Sequence, residues 1–269
     1  MKNILLIIVV LFSSSVNSQS LTDSLLLYYP MNGDANDASG KGFHGTTSGV
    51  ILVEDRFGID SSAYYFDGVN DYIDLPLNDT LKPYFPLTIA FWVKLKELDI
   101  TKCRLFVSDF TQNNYHGVWM GVDNDGRVSV AYGGGLGGCN PQNRVSYKTN
   151  EVVLDTGIWY HLSAVIFSPI SIALYINCSD AVASFSSGIG PTNVVYSNNI
   201  AGSIGRIDGQ TAPGPVRHLW GSMDEFMYWN RALSMGEVGL LCDSVPLSIG
   251  PSWNCINGLC IDPIVGCTN

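Results

Sequence analysis

Short runs of β-branched and aromatic residues, each closed by Gly, Asn, Asp or Pro, follow one another along almost the whole chain. Runs of this length between turn formers read as strands, and nothing here alternates them with long helical patterns. The pattern places strands near residues 25–30, 63–66, 72–75, 87–95, 104–108 and 117–122, and again near 128–132, 144–147, 159–167, 172–176, 200–204 and 221–229. "VDNDGRV" (122–128) and "YINCSD" (175–180) read as hairpin tips, the first by its Asn-Asp-Gly core. Only "LSMGEVGLLCD" (233–243) looks helical, with Ser234 as N-cap and Glu237 three residues later. About a dozen strands at short spacing, without a βαβ rhythm, predict an all-β antiparallel sandwich of two sheets with one short C-terminal helix.

The two ends stand apart from this pattern. Lys2, the apolar run "ILLIIVVLF" (4–12) and the polar "SSSVNS", with Val16 and Ser18 at the small positions before Gln19, form a secretory signal peptide over residues 1–18. The run is too short to span a bilayer permanently, and no later stretch is long and apolar enough to insert. The expected mature protein is secreted: extracellular, on the cell surface, or periplasmic. Loss of Lys2 takes the formal charge from −10 to −11. So acidic a balance argues against nucleic acid or an anionic membrane face as partner and suits cations and neutral glycans.

Seven cysteines (103, 139, 178, 242, 255, 260 and 267) in an exported chain predict disulfides, and the odd number leaves a thiol free or paired between chains. Three of them crowd into 255–267, so residues 245–269 read as a Cys-rich tail behind a domain at 19–244. Spacing does not fix the pairing; Cys255–Cys260 is the first candidate.

"YYPMNGDANDASGKGFHG" (28–45) concentrates Asn32, Asp34, Asn36 and Asp37 ahead of several glycines. Calcium takes about six to eight oxygens at about 2.3–2.6 Å, which these side chains and inward-turned carbonyls could supply. The loop is not an EF-hand, because from Asn32 the sixth place holds Asp37 and the twelfth holds Phe43. The other reading is a set of Asx-turns with no ion.

The order of motifs carries a resemblance. "LLLYYPMNGDANDASGKGFHGT", "DRFGIDSSAYYFDGVNDYIDLP", "LTIAFWVKL", "GIWYHLSAVI", "ALYIN", "IGRI" and "LWGSMDEFMYWNRALSMGEV" occur in sequence. Together they resemble the laminin-G-like jelly roll of the concanavalin A-like lectin/glucanase superfamily, in its secreted bacterial form, over residues 25–241. The resemblance implies a jelly-roll sandwich with one structural calcium between the first loop and an acid on the last strand, joining the chain's ends. It implies Asn32, Asp34, Asp37 and Asp224 as ligands, since strand alternation would turn Glu225 away from Asp224. "SWNCINGLCIDP" (252–263) is similar to a Cys-rich ending of some bacterial exported proteins, but "IVGCTN" departs from its expected continuation.

Catalytic patterns are weak. "ELDI" (97–100) matches the first half of a jelly-roll glucanase motif, but the second Glu needed for a retaining pair about 5–5.5 Å away is replaced by Thr101-Lys102-Cys103. His44, His116, His161 and His218 lack metal-ligand spacing, His161 fits a core "W-x-H" pattern, and no nucleophile elbow occurs. Glycan recognition needs exposed aromatic faces beside hydrogen-bonding groups, and the loop "TQNNYHGVW" (111–119) offers Asn113, Asn114, Tyr115 and His116. The strand tryptophans are expected in the core instead. The expected function is a secreted, non-catalytic module binding a glycan or extracellular protein. A structural or adhesive protein is the alternative, and a glycoside hydrolase or polysaccharide lyase a more distant third.

Overall fold

The computed structural model describes residues 20–98, 104–109, 115–136, 141–188, 190, 193–207, 217–242, 254–256 and 259–261. The expected leader at 1–18, the end of "ELDI", Asn113 and Asn114 lie outside these residues. The strand-forming runs become β1 (Leu25–Tyr29), β2 (Thr46–Ser48), β3 (Ile51–Val53), β4 (Ala63–Asp67), β5 (Tyr72–Asp74) and β6 (Leu87–Leu95). Next come β7 (Arg104–Val107), β8 (Val118–Val122), β9 (Val128–Gly133), β10 (Arg144–Thr149), β11 (Trp159–Ser168) and β12 (Ser171–Ile176). β13 (Ser179–Ala181), β14 (Ala183–Ser187), β15 (Ser203–Ile204), β16 (Arg206–Ile207), β17 (Arg217–His218) and β18 (Trp220–Trp229) complete the sandwich. Helix α1 (Met235–Leu240) follows, and β19 (Asn254–Ile256) pairs with β20 (Leu259–Ile261) in the tail, with Cys255 opposite Cys260.

The first sheet runs β13-β12-β11-β6-β18-β4-β3 with β1 added on β18; the second runs β14-β10-β9-β8-β7-β15-β5-β2. The sequence-distant neighbours β6–β18 and β7–β15 are the crossovers of jelly-roll wiring. Alternation sends Leu87, Ile89, Phe91, Val93 and Leu95 of β6 into the main core, against Phe106, Met120 and Val130 of the second sheet. Thr88, Ala90, Trp92 and Lys94 therefore line the outer face of the first sheet. Part of that face is covered: Leu233, Val238 and Leu241 around α1 pack on Tyr28, Met227 and Trp229. The predicted cap is present, with Ser234 Oγ accepting from Glu237 N–H and Glu237 accepting from Ser234 N–H at 2.8 Å.

The domain's first and last long strands pair directly. β1 pairs with β18 from Leu25↔Trp229 to Tyr29↔Phe226. Trp229 Nε1–H donates to the Leu21 carbonyl at 2.7 Å, and Arg231 donates to the carbonyls of Asp23 and Ser20 at 2.8 and 2.9 Å. Both predicted hairpins form. In the second, Asn177 (φ +48°) and Cys178 (φ +58°) make a two-residue left-handed turn that suits the twist of β12 and β13. Cys178 is bonded to Cys242 just beyond α1, a pairing that spacing does not reveal. The short β2, β3, β13 and β14 escaped the sequence reading because they lie at or near sheet edges, where a buried face leaves little imprint.

Candidate functional site

"GSMDEFMYW" puts two acids in the middle of an apolar strand, where each needs a cation or a proton. Alternation alone would send Asp224 and Glu225 to opposite faces, and here the structure corrects the expectation. β18 carries a bulge: Asp224 stands opposite Trp92 and Met227 opposite Ala90, so three steps on β18 match two on β6. Glu225, at φ +49°, is the extra residue, and Phe226 returns to the core 5.9 Å from the Phe91 ring. Both carboxylates thus reach one guanidinium, with Arg56 Nη1 2.9 Å from Asp224 Oδ2 and Nη2 3.1 Å from Glu225 Oε2. The Phe57 and Trp92 rings flank that guanidinium at 4.3 and 4.5 Å.

Two acids share one cation in a buried place. Burial first, then the neighbouring Glu225, push the Asp224 carboxyl up to about 8; burial raises Glu225 as well. Asp224 is 2% exposed and Glu225 4%. Closed off in this way, the pair is not presented to a glycosidic bond. Arg56 is the residue that sequence reasoning missed, although two acids inside an apolar run were a signal that a cation had to come from elsewhere.

The same outer face continues into a row of side chains, most of them partly exposed. Ile51 pairs with Tyr65, Tyr65 with Ser222, Ser222 with Lys94, and Lys94 with Trp159. Partners in register share a face, so these five residues cross β3, β4, β18, β6 and β11 in one line. Trp220 stands beside it, its Nε1–H donating to Tyr65 Oη at 2.7 Å, and Lys94 Nζ lies 5.0 Å from the Trp159 ring. Tyr65, Trp159 and Trp220 are partly exposed, and Ile51 is exposed. One line inward lie Asp224, Trp92 and His161. Burial, then Arg56, press the His161 imidazole down to about 3, so it stays neutral as a core histidine should.

The Asx-rich loop was the expected calcium cradle. Asp37 accepts from Tyr28 N–H (3.1 Å), Ser39 N–H (2.9 Å), Ser39 Oγ–H (2.9 Å) and Phe43 N–H (3.0 Å). A carboxylate has about four lone-pair positions, and these donors use them. Asp34 accepts from Asn36 N–H at 3.0 Å and from the Asn36 side-chain amide, and Asn32 is exposed. Asp224 is held by Arg56. In this arrangement the loop is a set of Asx-turns with Asp37 at its centre, while Asp224 keeps Oδ1 buried without a partner. Asp37→Ala should cost about 2–3 kcal/mol by stranding buried N–H groups. The loss is expected to be the same in calcium and in chelator. A wild-type melting temperature raised several degrees by calcium would mean that Asp37 exchanges those donors for the ion.

Of the expected glycan-contacting loop, Tyr115 and His116 are described. Tyr115 is 4% exposed and stacked on Trp119, with ring centroids 5.7 Å apart and planes at 19°. The Arg144 guanidinium lies 5.4 Å from the Tyr115 ring. A turn position suggested an open ring, but the loop folds back on the second sheet. Gly133 permits this, since a Cβ there would lie 1.8 Å from the Tyr115 carbonyl oxygen. The glycine-rich segment lies nearby, with Gly135 N–H donating to the Tyr115 carbonyl at 3.1 Å.

A family model, Laminin_G_3, described as concanavalin A-like lectin/glucanases superfamily, matches residues 67–239. Domain 4 of AbnA, an extracellular GH43 arabinanase from Geobacillus stearothermophilus in complex with arabinotriose, superposes with a TM-score of 0.53 at 19% identity, covering 82% of this chain and 98% of that one. The botulinum neurotoxin serotype D binding domain gives 0.58 at 16% identity, over 82% of this chain and 52% of its own. The binding domain of botulinum neurotoxin DC, in complex with rat synaptotagmin II, gives 0.58 at 13%, over 83% and 52%. The chain thus spans about half of each neurotoxin binding domain. At these identities the likeness shows the fold. Comparison with curated protein sequences gave no match.

Proposed function

Because the chain belongs to the concanavalin A-like lectin/glucanase superfamily, we propose that it is an exported, non-catalytic module that binds carbohydrate on the outer face of its first sheet. The observation that carries this is the row Tyr65–Ser222–Lys94–Trp159 with Trp220 beside it. Sugars present C–H patches and hydroxyls together. Partly exposed Trp and Tyr rings on rigid strands offer flat apolar faces, while Lys94 and Tyr65 offer hydrogen-bonding groups. The rings are fixed before a ligand arrives, Trp220 by its bond to Tyr65, so little ordering is needed on binding. Among the described residues no helix is long and apolar enough to cross a membrane.

Affinity electrophoresis against soluble polysaccharides, followed by a glycan array, tests this. Trp159→Ala and Trp220→Ala are each expected to weaken binding roughly tenfold, the worth of one good aromatic contact, with melting little changed. Unaltered binding in both variants would remove the row from the site. A second reading rests on another observation. Tyr147 and Phe185 pack edge to face at 6.0 Å, beside Ile170 at 85% exposure and Phe185 itself at 53%. Such a patch suits an extracellular protein partner. No binding to any polysaccharide, with cell-surface adhesion abolished by Ile170→Asp, would favour that reading.

A further inference from the structure

Beneath the β12–β13 hairpin, three elements bring together the one group of metal-ligand side chains found among the described residues. His161 from β11, Cys178 from the hairpin tip and Cys242 from the end of α1 place their ligand atoms within 4.8 Å of one another. Cys178 Sγ lies 3.4 Å from His161 Nδ1. The corner is anchored independently of the sulfur–sulfur bond. His161 N–H donates to Asn177 Oδ1 at 3.0 Å, Asn177 N–H donates to the His161 carbonyl at 2.8 Å, and Cys242 N–H donates to the Gly239 carbonyl at 3.2 Å. The His161 ring packs against Trp92 at 5.3 Å. Once the bond is broken, neither sulfur has far to drift, with the two Cα atoms 6.0 Å apart. A tetrahedral zinc with Zn–S about 2.3 Å and Zn–N about 2.0–2.1 Å needs S···N distances near about 3.6 Å. The observed separation is already close to that.

We propose that reduction of Cys178–Cys242 turns this corner into a zinc site, with both cysteine thiolates and His161 Nδ1 as ligands and a fourth position open to water. A dithiol reductant supplies two electrons and two protons, leaves as its own disulfide, and yields two thiols. Zn²⁺ then displaces both thiol protons to solvent while the imidazole contributes its lone pair. Cys178 and Cys242 are both partly exposed, so a small reductant has access. The oxidised protein holds hairpin and helix together covalently; the reduced protein would hold them through the metal. This site lies beside the proposed carbohydrate row, with His161 two residues along β11 from Trp159, but does not depend on it.

The test uses the full chain with Cys103, Cys139, Cys255, Cys260 and Cys267 replaced by Ser, so that the pair supplies the only thiols. After reduction with a phosphine it is titrated with Co²⁺ as a spectroscopic probe. The expected result is one equivalent bound, with thiolate-to-cobalt absorption and strong tetrahedral d–d bands, about two protons released, and bleaching by Zn²⁺. The oxidised chain should give none of these. His161→Gln should weaken binding by about tenfold or more and alter the d–d bands. The proposal falls if the reduced chain binds no stoichiometric Co²⁺, or if adding Cys178→Ser and Cys242→Ser leaves binding unchanged. It also falls if the His161→Gln spectrum matches that of the parent. Should His161→Gln fail to fold, the reduced-against-oxidised comparison still decides.

Discussion

Arg56→Ala is expected to lower the unfolding free energy by about 3–5 kcal/mol at pH 8, the cost of leaving buried carboxylates without their cation. Part of this is lost packing, since the guanidinium fills the space between Phe57 and Trp92. The larger part is electrostatic and must depend on pH. The folded value of Asp224 is about 8, above an unfolded value of about 3.9. Between those limits the native state binds the proton more tightly than the unfolded chain. The stability associated with Asp224 is therefore fully present below pH about 4 and is lost as pH rises through about 8. Glu225 is shifted in the same direction and adds to the slope. Urea unfolding should show the Arg56→Ala deficit shrinking at pH 5, and Asp224→Asn should flatten the wild-type decline between pH 5 and 8. A deficit equal at both pH values would refute this electrostatic account. Replacing Arg56, Asp224 and Glu225 together by apolar residues should cost far less than Arg56→Ala alone, because the penalty lies in breaking the set.

Loss of the Cys178–Cys242 bond has an effect of similar size. The two residues are 64 apart in sequence, and the loop-entropy estimate for that length is about 4 kcal/mol. In the Cys178→Ser/Cys242→Ser double variant the unfolded chain regains that freedom. The native state then holds the β12–β13 hairpin and α1 through the Tyr175, Val238 and Leu241 packing, the Arg231–Glu237 ion pair and the backbone bonds around Asn177. Denaturant midpoints should fall accordingly, and amide exchange in α1 should rise more than in β6. A midpoint unchanged in the double variant would mean that the bond constrains nothing the fold does not already fix.

The strands were legible because each is written locally. "LTIAFWVKL" shows its two faces by alternation, "VDNDGRV" its turn by Asn-Asp-Gly, and Ser234–Glu237 its helix start. Site residues were less legible. Asp37 was read as one of four calcium ligands, and the composition of its loop fits an ion and a set of N–H donors equally well. Only the folded loop shows the donors in place. Tyr115 looked open because turns are usually exposed, yet the close approach allowed at Gly133 lays it on Trp119.

What the sequence determined by itself was therefore the all-β sandwich, most of its strands and the capped helix, since apolar period and turn chemistry act over a few neighbouring residues. Only the tertiary structure decided that a bulge at Glu225 turns two acids toward Arg56, that Cys178 meets Cys242, and that Tyr65, Lys94 and Trp159 form one row. These depend on strand register and on contacts between residues far apart in the chain. A one-residue shift in register changes which side chains share a face, and no local pattern encodes that.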